Sequence, residues 1–128
     1  MLQKDLLLID TNVIIDYLRN DLHAVHYLEK LSAPISLSAI SVAEIYAGIR
    51  NKIEEKAVQH LLSIITILPT DQNIAAIAGT FYKHYKKSHG VDLADAIIAA
   101  TSQLHEATLV TLNTKHFPMI KTIKPYKK

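Results

Sequence analysis

The 128-residue chain contains no cysteine and no tryptophan, and it has only three glycines and four prolines. The absence of cysteine excludes a disulfide framework, a thiolate metal site and a thiol nucleophile. No apolar run approaches the roughly 18 to 20 residues that a membrane-spanning helix needs. The apolar run near the N-terminus is also too short for a signal peptide. We therefore expect a cytoplasmic protein that has no membrane segment.

The motifs of several common enzyme classes are absent as well. The sequence has no glycine-rich loop of the kind that binds nucleotide phosphates and no G-x-S-x-G nucleophile turn. Its seven histidines include no H-E-x-x-H spacing. The length, with 49% hydrophobic and 20% charged residues, is typical of one globular domain, which we expect to span residues 1–128.

Charge is unevenly distributed along the chain. Residues 1–82 carry six Lys and Arg residues against nine acids, whereas residues 83–128 carry eight lysines against three acids. The excess lies at Lys86 and Lys87 and in the segment from Lys115 to the C-terminus. A solvated helix end and a solvated terminus explain these lysines without any function. The alternative is that Lys86, Lys87 and Lys115 attract the phosphates of a nucleic-acid backbone.

Short apolar runs alternate with segments of helical periodicity. A run without polar alternation, such as LLLI at 6–9, is typical of a strand buried on both faces of a parallel sheet. The predicted strands are 6–9, 35–38, 64–68 and 108–111, with a short edge strand at 121–124, and the predicted helices are 11–20, 23–31, 41–51, a stretch to about 62, one from 71 to beyond 85, and 93–100. This alternation predicts an α/β fold whose site lies at the carboxyl ends of the strands.

Acidic residues stand in apolar surroundings near these predicted strand ends. Asp10 directly follows the first strand, and Glu44 lies in the helix after the second. Asp95 lies in the first turn of the most apolar helix, with Asp92 three residues earlier on the same face. If the strand ends converge, these carboxylates repel one another and need a cation. Their oxygen atoms favour Mg²⁺ or Mn²⁺, which can activate water and neutralise a phosphoryl group under attack.

Each acid also has an explanation as a helix cap. Asp10 can cap the helix that follows it, and Ser41 with Glu44 matches the S-x-x-E capping box. Asp92 and Asp95 match the N-cap and N3 positions of the next helix. Capping does not account for an acid within a segment as apolar as LADAIIAA, nor for the recurrence of acids after successive strands. Capping and metal binding are compatible at a helix start.

Four segments, taken in order, resemble the motifs of PIN-domain ribonucleases. LLLIDTNVIIDYL resembles the N-terminal motif, and SAISVAEIYAGI resembles the second motif, which carries a glutamate. DLADAIIAAT and ATLVTLNTKHF resemble the third and fourth motifs. The order, spacing and length are similar to those of the small PIN toxins of VapBC-type toxin–antitoxin pairs, over essentially the whole chain.

The resemblance implies a fold, an activity and partners. The fold would be a three-layer α/β/α sandwich around a short, mainly parallel sheet. The activity would be Mg²⁺- or Mn²⁺-dependent cleavage of RNA, whether tRNA, rRNA or mRNA, and the partners would be a VapB-like antitoxin and a second copy of the chain. By position, Asp10, Glu44 and Asp95 match the acids that bind the metal and carry out catalysis in the family.

The resemblance also implies supporting residues around these acids. Thr11 and Asn12 complete a D-T-N signature and would orient the preceding aspartate by hydrogen bonds, and Thr111 matches a hydroxyl position beside the site. The fourth acidic position of the family falls on Asn113, which brings no charge. Three residues further on, where Asp is also frequent in the family, this chain has His116. These departures leave open whether one or two metal ions bind.

A further carboxylate and two other functions complete the expectations from the sequence. Asp92 could supply the charge that Asn113 lacks. The same asparagine favours an alternative function, a PIN-like RNA-binding module without catalysis, which the retained acids oppose. A response-regulator receiver domain has a similar size and class, but it needs a phospho-accepting Asp directly after the third strand, and here Pro69 and Thr70 separate that strand from Asp71.

Overall fold

The computed structural model of the chain describes residues 6–127. Residues 1–5 of the predicted domain and Lys128 of the basic C-terminal segment lie outside the described residues. In chain order the elements are β1 (Leu7–Ile9), α1 (Thr11–Leu18), α2 (Leu22–Glu29), β2 (Ile35–Ser38), α3 (Ala39–Ala47), α4 (Lys52–Ile64), β3 (Thr66–Leu68), α5 (Gln72–His89), α6 (Leu93–Leu104), β4 (Thr108–Val110), a 3₁₀ turn (Thr114–His116) and β5 (Thr122–Ile123).

The five strands form one parallel sheet in the order β3-β2-β1-β4-β5. The chain extends the sheet from β1 through β2 to β3 on one side, and then through β4 to β5 on the other. The order therefore reverses between β1 and β4, and in open parallel sheets a ligand binds outside the carboxyl ends of the strands at such a reversal. The receiver-domain interpretation is wrong, because receiver domains have the strand order 2-1-3-4-5.

Side chains of β1 alternate between two apolar cores, as the pleat of a strand requires. Leu7 and Ile9 pack with Val13 of α1 and with apolar residues of α3 and α4. Leu8 points to the other face, where it packs with Ile98 of α6. Helices thus cover both faces of the sheet, and the predicted three-layer α/β/α sandwich is confirmed.

The boundaries differ from the predicted ones mainly where helix and strand patterns overlap. Ile64 ends α4, so β3 begins at Thr66 rather than at 64. The apolar stripe of α5 that includes Phe81, Tyr82 and Tyr85 packs half-buried against the core beneath α6, so its periodicity reflects core packing. Across residues 6–127, no helix combines the length and the apolar character needed to cross a bilayer.

Two glycines of the α5 region should respond in opposite directions to the same substitution. Gly79 lies inside the helix, and a Cβ added there would have no heavy atom within 4 Å. Gly90 ends the helix in the left-handed region, with φ of 63°. We expect Gly79→Ala to raise the free energy of unfolding by about 0.5–1 kcal/mol, because alanine favours a helix interior. We expect Gly90→Ala to lower it by about 1–2 kcal/mol, because a Cβ is strained at positive φ.

Urea denaturation of both variants and the wild-type protein measures these changes. The opposite expectations rest on the backbone conformation, which is helical at Gly79 and left-handed at Gly90, so equal effects of the two substitutions would contradict the interpretation.

Candidate active site

Asp10 lies in the crevice where the strand order reverses. It directly follows β1, it is the N-cap of α1, and it is only 5% exposed. Its Oδ1 accepts a hydrogen bond from the backbone N–H of Thr11 at 2.8 Å, and its Oδ2 accepts one from Thr111 Oγ1 at 2.7 Å. The backbone N–H of Asn113 in turn donates to Thr111 Oγ1 at 3.0 Å. The ends of β1 and β4 therefore hold one carboxylate by both of its oxygens.

Glu44 is connected to this crevice through the hydroxyl of Thr11. Thr11 Oγ1 lies 2.7 Å from Glu44 Oε1 and 2.7 Å from Ser41 Oγ, and Ser41 is fully buried. A hydroxyl has one hydrogen and an ionised carboxylate only accepts, so Thr11 donates to Glu44 and accepts from Ser41. This contact orients a carboxylate of α3 toward the start of α1, although Glu44 itself is exposed.

The capping explanation for Glu44 is wrong. Helix α3 begins directly after β2, and its N-cap is Ser38, whose side chain accepts a hydrogen bond from the backbone N–H of Ile40 at 3.3 Å. Ser41 is therefore the third residue of the helix rather than its cap. The buried hydroxyl of Ser41 serves the contact with Thr11 instead.

Asp92 and Asp95 start α6 as a capping box. The backbone N–H of Asp95 donates to Asp92 Oδ1 at 2.7 Å, and the backbone N–H of Asp92 donates to Asp95 Oδ2 at 3.3 Å. The same Asp95 oxygen lies 3.3 Å from His116 Nδ1, and 19% of the Asp95 side chain is exposed. Helix capping and membership of the acidic site thus coincide at this helix start.

The acids share one electrostatic environment. Burial raises the pKa of Asp10 above its ordinary value, against the effect of its hydrogen bonds from Thr111 and Thr11, and the charges of Glu44 and Asp92 raise it further. The pKa of Asp95 is raised to about 6, chiefly by burial and then by the charge of Asp92. The charge of Asp10 adds to that rise, so the carboxylates at the starts of α1 and α6 interact.

The acids do not form a complete set of metal ligands by themselves. Within residues 6–127, no three His, Asp or Glu side chains are grouped closely enough to hold a metal ion. Mg²⁺ nevertheless binds through as few as one or two carboxylates and keeps several water ligands. Asp10 and Asp95 offer only oxygen atoms as ligands. Their raised pKa values mean that ionisation of both carboxyl groups is disfavoured, and a bound cation would favour it. This donor set fits a hard divalent cation.

Other residues predicted for the site have more peripheral positions. Asn12 is exposed on α1, and the hydrogen bonds that hold Asp10 come from Thr11 and Thr111 instead. Asn113 is exposed and contributes its backbone N–H rather than its side chain.

The predicted phosphate-binding lysines lie on the surface. Lys86 and Lys87 are exposed in the last turn of α5, where Lys86 Nζ lies 5.2 Å from the centre of the Tyr82 ring. Lys115 is exposed in the 3₁₀ turn after β4.

Two side chains contact the site in ways that the sequence does not predict. The sequence predicts a cap at Ser41, and His116 is only a departure from the family pattern. The signal for Ser41 is a small polar residue one turn before Glu44 on an otherwise apolar helix. No signal in the sequence predicts the contact between His116 and Asp95, because it depends on how the turn after β4 meets α6.

A family model described as PIN domain matches residues 7–121 of the chain. The chain belongs to the PIN-domain family. Ribonuclease VapC10 of Mycobacterium tuberculosis is 35% identical over 123 residues, which cover 94% of this chain and 92% of that protein. Toxin FitB of Neisseria gonorrhoeae is 35% identical over 127 residues, covering 88% of this chain and 91% of that protein.

Solved structures share the fold as well. A chain described as a toxin–antitoxin complex from Klebsiella pneumoniae has a TM-score of 0.82 and 34% identity, covering 94% of this chain and 98% of that chain. The crystal structure of FitAcB from Neisseria gonorrhoeae has a TM-score of 0.73 and 32% identity, covering 93% and 97%.

In the metal-free protein, Asp95→Asn should raise stability near pH 7.5. The pKa of Asp95 is about 6 in the folded state against an ordinary value of 3.8, so the folded protein holds this proton more tightly than the unfolded chain does. The carboxyl therefore costs stability as pH rises from about 4 to about 6, and asparagine cannot ionise. We expect a gain on the order of 1–3 kcal/mol at pH 7.5 and a flatter profile between these pH values.

Thermal denaturation in the presence of a chelator, from pH 4 to pH 7.5, measures this effect. Asp21→Asn is the matched control, because Asp21 is also an N-cap aspartate but lies at the start of α2, at the other end of α1. If Asp95→Asn were no more stable than the wild-type protein at pH 7.5, the electrostatic interpretation would be wrong.

Proposed function

We propose that this PIN-domain chain is a metal-dependent endoribonuclease and the toxin of a VapBC-type toxin–antitoxin pair. The observation that carries the proposal is the interaction of the Asp10 and Asp95 carboxylates in the crevice between β1 and β4, with raised pKa values and no Lys or Arg paired to either in residues 6–127. The similarity to proteins named as VapC ribonucleases supports the reaction class.

Asp10, Asp95 and Glu44 would hold Mg²⁺ or Mn²⁺, with Glu44 ligating directly or through a bound water, and Asp92 would supply the charge that Asn113 lacks. When bound, such an ion supplies an activated water and neutralises charge on the scissile phosphate. In the proposed hydrolysis, the oxygen of water would bond to phosphorus, the P–O3′ bond would break and a proton of that water would pass to O3′, which would leave a 5′-phosphate on one fragment and a 3′-hydroxyl on the other. The site residues Asp10, Glu44 and Asp95 have the catalytic roles in this proposal.

The residues around the acids would keep them in one arrangement during the reaction. Thr111 donates to Asp10 Oδ2 and Thr11 donates through its backbone to Oδ1, so the carboxylate cannot rotate freely. The hydroxyl of Thr11 holds Glu44 Oε1 at 2.7 Å. Thr11 and Thr111 are therefore proposed as positioning residues, and partners of this kind are worth about 10- to 100-fold in metal affinity or activity.

The partners follow from the same proposal. RNA is the substrate, consistent with the cytoplasmic location expected from the sequence, and a VapB-like antitoxin neutralises the toxin. The solved toxin–antitoxin complex that contains a chain 34% identical to this one supports the antitoxin as a partner. We also propose a homodimer, with the stripe of α5 that includes Phe81, Tyr82 and Tyr85 as its candidate interface, because these side chains stay half-exposed where they pack against the core. Sedimentation at micromolar concentration measures the mass of the assembly.

The alternative function is an RNA-binding module without catalysis. Two observations favour it: Asn113 brings no charge to the site, and His116 contacts Asp95 where the family frequently has another acid. The two functions differ in one measurement, the metal-dependent cleavage of RNA, because a binding module retains RNA affinity and leaves the strand intact.

Replacing a proposed metal-binding aspartate by asparagine keeps the shape of the side chain but removes its charge, and it should nearly abolish RNA cleavage. We expect Asp10→Asn and Asp95→Asn each to lower the rate of metal-dependent RNA cleavage by at least about 100-fold, because each removes a charged metal ligand. If the acids were only helix caps, asparagine would preserve both the cap and the activity.

The assay follows cleavage of single-stranded RNA with added Mg²⁺ or Mn²⁺, and thermal denaturation checks that each variant is folded. Asp21→Asn makes the same chemical change at the N-cap of α2 and should retain full activity. Full activity in Asp95→Asn would end the metal-site proposal.

The hydroxyl of Thr11 should matter for activity separately from the shape of its side chain. Thr11→Val keeps the shape but removes the donor to Glu44 and leaves Ser41 Oγ without this partner. We expect a loss of about 10- to 100-fold in activity and a destabilisation of about 1–3 kcal/mol.

Thr11→Ser restores the hydroxyl and should recover most of the activity. Rates are compared well below the melting temperature of each variant, so that unfolding does not contribute. Failure of the serine variant to recover more activity than the valine variant would show that the hydroxyl does not position Glu44.

A further inference from the structure

A second cleft lies next to the acidic site, between the end of α5 and the 3₁₀ turn. It has a volume of about 500 Å³, within the range that accommodates small ligands. Its lining is basic and hydroxylated, and it consists of Ser88, His89, Thr114, Lys115, His116 and Pro118. None of these lining residues is acidic, so the cleft is chemically the opposite of the acidic site beside it.

His116 separates the cleft from the acidic site. On one side, His116 Nδ1 lies 3.3 Å from Asp95 Oδ2. On the other side, the chain leaves α5 close to the same ring, since a Cβ added to Gly90 would lie 3.9 Å from His116 Nε2. A ligand in the cleft would therefore lie one imidazole ring away from the proposed metal-binding carboxylates.

Two side chains of the cleft are suited to a nucleotide. Lys115 is exposed and forms no ion pair with an acid in the part of the chain that the structure describes. Two neighbours fix the ring of His89. Ser88 Oγ lies 2.7 Å from its Nδ1, and the Tyr85 ring packs edge-to-face against it with the ring centres 5.7 Å apart. An unpaired cation attracts a phosphate, and a fixed imidazole ring can stack on an unpaired base.

Helix stability alone explains only part of this arrangement. Lys86, Lys87 and His89 lie in the last turn of α5, where positive charge offsets the helix dipole. Lys115 belongs to a different element that follows β4, and the hydroxyls of Ser88 and Thr114 have no part in that offset. The cleft brings these groups together across two elements that are distant in sequence.

We propose that this cleft is a subsite for single-stranded RNA that binds the nucleotide next to the scissile phosphate. Lys115 contacts the phosphate of that nucleotide, and the ring of His89 stacks on its base. The subsite rests on the proposed ribonuclease function and specifies where a neighbouring nucleotide binds. It also requires single-stranded RNA, because base-paired RNA does not offer an exposed base face to the cleft.

The test compares cleft variants with matched variants elsewhere on the surface. Lys115→Ala and His89→Ala alter the cleft, whereas Lys56→Ala and His60→Ala remove the same side-chain types from exposed positions on α4. All four side chains are exposed, so the fold should persist, and thermal denaturation verifies it.

Binding of fluorescein-labelled single-stranded RNA is measured by fluorescence anisotropy with a chelator present, which prevents cleavage. We expect Lys115→Ala and His89→Ala to weaken binding by about 5- to 10-fold each. Lys115→Ala should also reduce the slope of log affinity against log salt by about one. The two α4 variants should bind within about twofold of the wild-type protein.

A cleavage assay with added Mg²⁺ or Mn²⁺ separates failure of the subsite from failure of the function. If the wild-type protein cleaves RNA, the cleft variants should raise KM and leave kcat unchanged. Cleft variants that match the α4 variants in both Kd and KM would overturn the subsite and leave the ribonuclease function intact. A wild-type protein that binds RNA through the cleft without cleaving it would overturn the function and keep the subsite, and one that does neither would overturn both.

Discussion

Burial of the Asp10 carboxylate at the end of β1 is the constraint on which the rest of the site depends. Asp10 is only 5% exposed, so its carboxylate loses most of its hydration, and two hydrogen bonds offset only part of that cost, since its pKa remains raised. Within residues 6–127, no Lys or Arg pairs with it. A buried carboxylate without a cationic partner is characteristic of functional sites, where a bound ligand supplies the opposite charge.

The fold makes capping and the acidic site parts of one arrangement. Asp10 and Asp92 are the N-caps of α1 and α6, and both helices start at the same edge of the sheet. The positive ends of these helices reduce the repulsion between the acids that cap them. Parallel strands end at one edge and their helices start there, so a parallel sheet collects N-cap residues into a crevice. The strand order then decides which of these N-cap acids lie close together.

An acidic site and a basic cleft meet at His116. Residues 83–128 contain Asp92 and Asp95 as well as eight lysines, so the overall charge of +2 conceals both the acidic site and the basic cleft. The 3₁₀ turn after β4 lies between the start of α6 and the basic cleft. Its His116 contacts Asp95 on one side and lines the cleft on the other. An RNA backbone bound as proposed would contact the proposed metal site on one side of His116 and the basic cleft on the other.

The sequence alone determined the local features. Apolar runs predicted β1, β2 and β4 to within one residue at each end, and they placed Asp10 directly after a buried strand at the start of a helix, because burial and capping leave their pattern in neighbouring residues. Only the tertiary structure decided which distant groups meet. The bond from Thr11 to Glu44 spans 33 residues and that from Thr111 to Asp10 spans 101. Such contacts depend on strand order and on the angles at which helices leave the sheet, which periodicity along one chain does not specify.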